Sequence, residues 1–444
     1  MKNVVVIKNK IEPYVKTIKN ITGDKSISIR YLIIASLAYG KSIAYNLSNA
    51  EDILNTIKCI KKLGIKIDKK NKHCKVYGNG LNGYIYKKNL TLDAGNSGTA
   101  ARLLTATLVN STKYIKITGD TSLKKRDMKR IIDPLKEFGA TFKTKNNTLP
   151  IFVKGSNFLR PINYHEYRGS AQCKSAVMLA ALFAPGITNL KCRKSRNHTE
   201  LFFKNIIKAN TKIKKNKKYD FIEIEGRKNF KGFSYNIPGD FSSAAFFIVL
   251  TLLTKNSSIV LKNININPSR TGMVSILNLM GAKISFYNKK KYKGEIVGDI
   301  HVKNIKKLKG IKCPMKFNTS AIDEMLLLFL VSSISKGTST YKNLEELNKK
   351  ESKRLDWGIK ILKMIGIKTK KISNHGIKIY GNPNLKLKKT YRIKSYLKDH
   401  RVYMVSVIAA LALGGKWIIN DPDSIKSSFP SFNKLIKKLG GKIN

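Results

Sequence analysis

A mixed α/β (α+β) fold of two domains, each built from three copies of one unit, is what this sequence predicts. Three observations carry the prediction. The first is a helix that ends in Leu-Gly or a close variant and runs straight into a short strand. It recurs at Lys61-Lys-Leu-Gly-Ile-Lys-Ile, Lys136-Glu-Phe-Gly-Ala-Thr-Phe, Asn278-Leu-Met-Gly-Ala-Lys-Ile, Lys363-Met-Ile-Gly-Ile-Lys-Thr and Lys437-Lys-Leu-Gly-Gly-Lys-Ile. Gly64, Gly139, Gly281, Gly366 and Gly440 are separated by 75, 142, 85 and 74 residues, and the gap of 142 spans two periods. A sixth copy is therefore expected near Asn210. Gly and Asn are the residues that most readily take the left-handed conformation ending a helix. The second observation is Gly-Asp-x-Ser at Gly23–Ser26, Gly119–Ser122 and Gly239–Ser242, each ahead of a helical run whose N-terminus Asp or Ser would cap. The third is the turn Asn236-Ile-Pro-Gly-Asp240, which divides the six copies three and three. Units so few and so long suit two globular domains better than a solenoid with neighbour contacts only.

Composition narrows the class. A chain of 444 residues with 42% hydrophobic content supports two or three domains with real cores. The longest apolar runs, Met325–Val331 and Val402–Leu413, fall short of the roughly 18–20 residues of a membrane span. The start, Lys-Asn-Val-Val-Val-Ile-Lys-Asn-Lys, is too short and too charged for a signal peptide, so a soluble cytoplasmic protein is expected. Five scattered cysteines without a C-x-x-C pair argue against a disulfide framework and a structural zinc. The net charge of +59 invites a nucleic-acid reading. Yet lysine is spread over the whole length together with Asn and Ile, as A/T-biased coding produces, and no basic tail, RNP-type aromatic motif or zinc knuckle stands out. Charge alone predicts weak adhesion to polyanions, not a specific nucleic-acid partner.

In chain order, the stretches that carry chemistry lie at helix starts. Thr22-Gly-Asp-Lys-Ser-Ile-Ser-Ile-Arg30 sets Lys25, Ser26 and Arg30 where a phosphate or carboxylate would be held. In Thr91–Leu104 the turn Gly95-Asn96-Ser97-Gly98 feeds an apolar helix. Open backbone N–H groups and the positive end of the helix dipole make an anion site there, with Arg102 one turn in. Gly119–Met128 places Arg126 on a turn before a helix expected over Lys129–Phe138. Gly169-Ser-Ala-Gln-Cys-Lys-Ser175 and Ser195-Arg-Asn-His-Thr-Glu200 bring hydroxyl and amide groups suited to a polyol, the latter with the flavour of a cap. In Ala321–Leu330, Asp323 and Glu324 enter an all-apolar helix, and carboxylates so placed need a partner or a task such as general base. Leu344–Leu355 reads as a helix with Lys350 and Arg354 on one face and Glu351 beside them. In Lys398-Asp-His-Arg-Val-Tyr-Met404, Asp399 would cap a long helix and direct His400 and Arg401 at a ligand.

Taken together, these stretches resemble the 5-enolpyruvylshikimate-3-phosphate synthase family. The match runs from Gly23-Asp-Lys-Ser to Ser428-Phe-Pro430, and its most specific pieces are Gly95-Asn-Ser-Gly-Thr-Ala-Ala-Arg, Lys350-Glu-Ser-Lys-Arg and Asp399-His-Arg. The resemblance implies a two-domain inverse α/β barrel of six βαβαββ repeats, three per domain. Residues 22–237 would form the N-terminal, shikimate 3-phosphate side. Residues 1–21 with 238–444 would form the C-terminal, phosphoenolpyruvate side, and the active site would lie between them. It implies a 3-phosphoshikimate 1-carboxyvinyltransferase that needs no metal or organic cofactor and acts as a monomer. Lys25 would contact both substrates. Ser26, Arg30, Ser170, Ala171, Gln172 and Ser195 would bind shikimate 3-phosphate. Gly98, Arg126, Arg354 and Arg401 would hold phosphoenolpyruvate, with Asn96 shaping their loop. Asp323 would accept the hydroxyl proton, Glu351 would protonate the methylene carbon, and Lys350 would orient the ring. The chain departs from the family pattern at Asp127, Asn197, Asn348, Lys349, Lys353 and Ser427, none of them a proposed catalytic group. The sister enzymes acting on UDP-N-acetylglucosamine use a loop cysteine, and none lies near Arg126.

Overall fold

A computed structural model describes residues 4–305 and 307–444. The chain forms two compact units. The N-terminal unit holds Gly23–Ile237 and Tyr292–Glu295; the C-terminal unit holds Met1–Thr22, Pro238–Lys291 and Ile296–Asn444. Two details depart from the division expected from sequence. Thr22 groups with the C-terminal unit, where its carbonyl accepts from the Asp240 amide at 2.9 Å. Tyr292–Glu295 groups with the N-terminal unit, where Glu295 Oε1 lies 2.6 Å from His198 Nδ1.

Six sheets are present among the described residues. Those of the N-terminal unit share one plan. Ser234–Asn236 runs parallel to Tyr39–Tyr45, which pairs antiparallel with His73–Asn79, itself antiparallel to Lys66–Lys70. Thr91–Asp93, Ile115–Thr118, Ile151–Lys154 and Thr141–Thr144 repeat this order, as do Asn163–Glu166, Ile187–Arg193, Tyr219–Glu225 and Thr211–Lys215. In the C-terminal unit, Val15–Ile18 is parallel to Ser258–Asn265, followed by Glu295–Lys303 and Lys283–Tyr292. Thr390–Ile393 is parallel to Lys416–Asn420, which pairs antiparallel with Val4–Ile7. Thr338–Tyr341, Ile377–Tyr380 and Thr369–Lys371 are antiparallel, and single parallel bridges at Lys309–Lys336 and Lys312–Thr340 stand where the parallel strand lies elsewhere.

Helices fall into two kinds for a visible reason. Lys25–Ser36, Gly98–Ala106 and Ala171–Ala181 are apolar around most of their circumference, and Ile27 through Ser36 and Cys173 through Ala181 are all buried. A helix without a polar face has to sit inside a core. Phe241–Leu253, Met325–Ser333 and His400–Leu413 play this part in the C-terminal unit. Glu51–Lys62, by contrast, buries Ile53, Thr56, Ile57 and Ile60 and turns Lys58, Lys61 and Lys62 outward. The helices therefore split into central rods, whose first turns carry the motif residues, and amphipathic outer ones.

The recurring helix ends are left-handed at Gly64, Gly139, Gly281, Gly366 and Gly440, with φ between 81° and 112°. The expected sixth position is a correction. The helix His198–Asn205 stops early, Lys208 takes the left-handed conformation at φ 48°, and the Asn210 amide instead donates to Glu225 Oε2 at 2.7 Å. Each Gly-Asp-x-Ser aspartate caps its helix: Asp24 accepts from the Ile27 amide, Asp120 from Leu123 and Asp240 from Ser242. At Gly23 a side chain is impossible, because a Cβ would lie 1.9 Å from the Asn46 carbonyl oxygen. No helix among the described residues is long and apolar enough to cross a membrane, and all five cysteines are free thiols.

Candidate active site

In the N-terminal unit the first turns of three central helices meet through side chains. Lys25 opens its helix and places Nζ 2.8 Å from Asp52 Oδ2. Arg30, one turn in from Ser26, is buried. Its Nη1 donates to the Ser26 carbonyl, Nε to Thr199 Oγ1 at 2.8 Å and Nη2 to Ser175 Oγ at 2.9 Å. That arginine ties the Lys25 helix to Ala171–Ala181 and to the helix that begins at His198. Gln172 joins the second and third rods: its Nε2 donates to Thr99 Oγ1 at 2.9 Å, and its Oε1 accepts from Arg102 Nη1. Arg102 Nη2 in turn donates to the Asp127 carbonyl at 2.8 Å.

The Gly95–Gly98 turn is built as the sequence predicts. Ser97 caps the helix, and Asn96 Nδ2 donates to Asp120 Oδ2 at 2.6 Å while its Oδ1 accepts from Arg126 Nη2 at 3.1 Å. Asn96 thus aims Arg126 at Gly98, where a Cβ would lie 3.0 Å from Arg126 Nη1 and 3.4 Å from Arg102 Nη1. Ser170 caps the next rod through the Cys173 amide, leaving the Ala171 and Gln172 backbone in its first turn. Ser195 is not a cap. The helix starts after Asn197 without a side-chain cap hydrogen bond, Glu200 is drawn to the buried Lys174 at 2.6 Å, and Ser195 Oγ is buried without a hydrogen-bond partner.

The C-terminal unit gathers the remaining candidates. Asp323 and Glu324 lie in a 3-10 turn ahead of Met325–Ser333, not inside an α-helix. Lys350 Nζ lies 3.2 Å and Arg354 Nη1 3.5 Å from Asp323 Oδ1. Glu351 Oε2 is paired to Arg354 Nη2. Arg401 Nη1 donates to the Asp323 carbonyl at 2.5 Å and lies 3.3 Å from Glu324 Oε1. Asp323, Lys350, Glu351, Arg354 and Arg401 therefore meet in one place.

One expectation is overturned here. Leu344–Leu355 is not one helix: Glu345–Leu347 is a 3-10 turn, and the α-helix begins only at Arg354. The Asn348 side chain accepts the Leu355 amide at 2.9 Å and competes with helix propagation, so Lys350 and Glu351 sit on a loop and reach Asp323 and Arg354 from there. His400 is buried, with Nδ1 3.3 Å from Ser427 Oγ.

Arg354 is the centre of this group and is almost completely buried. Burial alone would pull its pKa down, but the Asp399, Glu351 and Asp323 carboxylates outweigh that and hold it above the ordinary arginine value. Asp399 answers in kind: burial pushes its carboxyl up, and Arg354 overcomes this and holds it below the usual aspartate value. Asp52, Thr199, Ser175 and Ser352 were not legible as partners, because each lies far from its contact in sequence. Among the described residues no group of three or more His, Cys, Asp or Glu side chains converges as a metal site. What the arrangement offers chemically is several cations for anionic ligands, with a carboxylate beside them able to exchange a proton.

Comparison with known proteins places the chain. Residues 8–436 match the family model for EPSP synthase (3-phosphoshikimate 1-carboxyvinyltransferase). A 3-phosphoshikimate 1-carboxyvinyltransferase from Ruthia magnifica subsp. Calyptogena magnifica is 38% identical over 96% of this chain and 95% of its own length. One from Caldicellulosiruptor saccharolyticus is 39% identical over 94% of this chain and 95% of its own. The structure of EPSP synthase from Acinetobacter baumannii superposes with a TM-score of 0.85 at 31% identity, covering 99% of both chains. The enolpyruvyl transferase NikO from Streptomyces tendae, 13% identical with a TM-score of 0.79 over 100% of this chain and 98% of its own, shares the fold. With the family model spanning nearly the whole chain and relatives well above a third identical, the chain belongs to the EPSP synthase (3-phosphoshikimate 1-carboxyvinyltransferase) family.

Proposed function

We propose that this protein transfers the carboxyvinyl group of phosphoenolpyruvate to the 5-hydroxyl of shikimate 3-phosphate and releases phosphate, by addition and elimination through a tetrahedral intermediate. Asp323 removes the hydroxyl proton as the oxygen adds to C2 of phosphoenolpyruvate. Glu351 delivers a proton to the methylene C3. In the second step C3 returns that proton, the double bond re-forms and phosphate departs. Ser26, Arg30, Ser170, Ala171, Gln172 and Ser195 hold shikimate 3-phosphate. Asn96, Gly98, Arg126, Arg354 and Arg401 serve phosphoenolpyruvate, Lys25 meets both ligands, and Lys350 orients the ring. The organisation is read as six βαβαββ repeats in two inverse α/β barrels, a reading supported by the recurrent strand order and the buried central helices.

The observation that supports this most directly is Asp323 lying 3.2 Å from Lys350 and 3.5 Å from Arg354, with Glu351 bonded to that same arginine. A base and an acid organised around one buried guanidinium are the two groups that the chemistry requires, and cations beside them offset the charge of two anionic substrates. The test is phosphate release measured with both substrates and with each alone. Release that requires both, with a carboxyvinyl ether of shikimate 3-phosphate as co-product, is expected. Phosphate release without that product, or none at all, would overturn the proposal.

A further inference from the structure

The third Gly-Asp-x-Ser copy, Gly239–Ser242, has no assigned ligand, yet its side chains are buried and connected. Arg270 Nη2 donates to Ser242 Oγ at 2.7 Å and lies 3.3 Å from Asp240 Oδ1. Ser242 Oγ donates onward to Glu324 Oε1 at 2.6 Å, and the same carboxylate oxygen receives Arg401 Nη1 at 3.3 Å. Glu324 is fully buried, and its other oxygen, Oε2, is buried with no hydrogen-bond partner. A carboxylate needed only for packing would be replaced at little cost by an apolar side chain, because a buried acceptor left open is destabilising. Its one engaged oxygen joins Ser242 to Arg401.

We infer that Glu324, held by Ser242 and Arg270, is a positioning residue that fixes the Arg401 guanidinium for the anionic carboxylate or phosphate of phosphoenolpyruvate. The inference rests on the proposed assignment of Arg401 to that substrate. Two acceptors, the Asp323 carbonyl and Glu324 Oε1, share the single nitrogen Nη1. That orientation leaves Nη2 and Nε to meet an incoming anion two-pronged, the geometry in which arginine binds carboxylate and phosphate best. Because the Asp323 backbone accepts from the same nitrogen, Glu324 also couples the position of the arginine to the residue proposed as base.

The experiment compares Glu324→Gln and Ser242→Ala, with Arg401→Lys as reference, in full-length enzyme. Glu324→Gln keeps the shape and removes the charge. It should raise KM for phosphoenolpyruvate about tenfold while leaving KM for shikimate 3-phosphate and the thermal midpoint close to wild type. Ser242→Ala should shift the same constant by about threefold, and Ser242→Thr, which restores the hydroxyl, should recover it. If Arg401→Lys raises KM for phosphoenolpyruvate and Glu324→Gln does not, the positioning role falls and the Arg401 assignment stands. If neither variant moves it, the Arg401 assignment fails and this inference with it. Equal weakening of both substrates together with a lowered thermal midpoint would mark Glu324 as a packing residue and also overturn the inference.

Discussion

Arg354 and Asp399 face each other as a two-pronged pair, Nε to Oδ2 at 2.8 Å and Nη2 to Oδ1 at 3.1 Å, both side chains almost completely out of solvent. Forty-five residues separate them, and Ser352 Oγ adds a third bond to Asp399 at 2.8 Å. This pair sets the floor on which Asp323, Glu351 and Lys350 stand. Removing one member strands a buried charge, so Asp399→Asn should cost about 3–5 kcal/mol of stability by urea unfolding. A loss under about 1 kcal/mol would show that the pair is dispensable, as an exposed one would be.

The same pair has a pH signature. The folded Asp399 carboxyl lies below the ordinary aspartate value because Arg354 outweighs its burial. Its contribution is therefore complete above about pH 4 and disappears as pH falls through the folded value. Wild type should lose stability on acidification below about pH 4 more steeply than Asp399→Asn does. Parallel acid-unfolding curves for the two proteins would remove Asp399 from this account.

Asp323→Asn should leave both KM values within a few-fold and lower kcat by about two to four orders of magnitude, the range for a lost general base. Steady-state phosphate release reads both quantities. Turnover near wild type would take the proton-acceptor role away from Asp323.

Gly98→Ala places a methyl 3.0 Å from Arg126 Nη1, closer than the guanidinium tolerates without moving. With an overpacking cost of about 1–3 kcal/mol falling on the arginine's position, KM for phosphoenolpyruvate should rise about tenfold. Unchanged affinity for phosphoenolpyruvate would place Arg126 outside the binding set.

Burial pushes the Cys59, Cys74, Cys173 and Cys192 thiols up to about 12 and Cys313 up to about 11. Thiolate is the reactive form, so native protein at pH 8 should resist alkylation by iodoacetamide, whereas unfolded protein should label at all five cysteines. Rapid native labelling at Cys59, Cys74, Cys173 or Cys192, read by mass spectrometry, would contradict its buried setting.

Local chemistry explains what was readable beforehand. The Gly-Asp-x-Ser caps and the left-handed glycines depend on residues within one turn of each other, and they stand where the spacing predicts. The readings that failed did so where a distant group won. Lys350 and Arg354 suit a helix face, yet the Asn348 cap and the pull of Asp323 and Asp399 hold Lys350 on a loop. Ser195-Arg-Asn-His-Thr-Glu200 has the flavour of a helix cap, but the buried ammonium of Lys174 claims Glu200. At the sixth helix end, Asn210 is taken by Glu225 across a strand pair and Lys208 carries the left-handed turn.

The order of motifs, the repeated helix-to-strand punctuation and the apolar character of the central helices were determined by sequence alone, because each follows from side chains a few positions apart. Only tertiary structure decided that Lys25 would face Asp52, that Thr199 would anchor Arg30, and that Ser242 would reach Glu324 beneath Arg401. These pairs span 27 to 169 residues. Which carboxylate meets which cation depends on how the core brings separate segments together, and no local pattern in the chain encodes that choice.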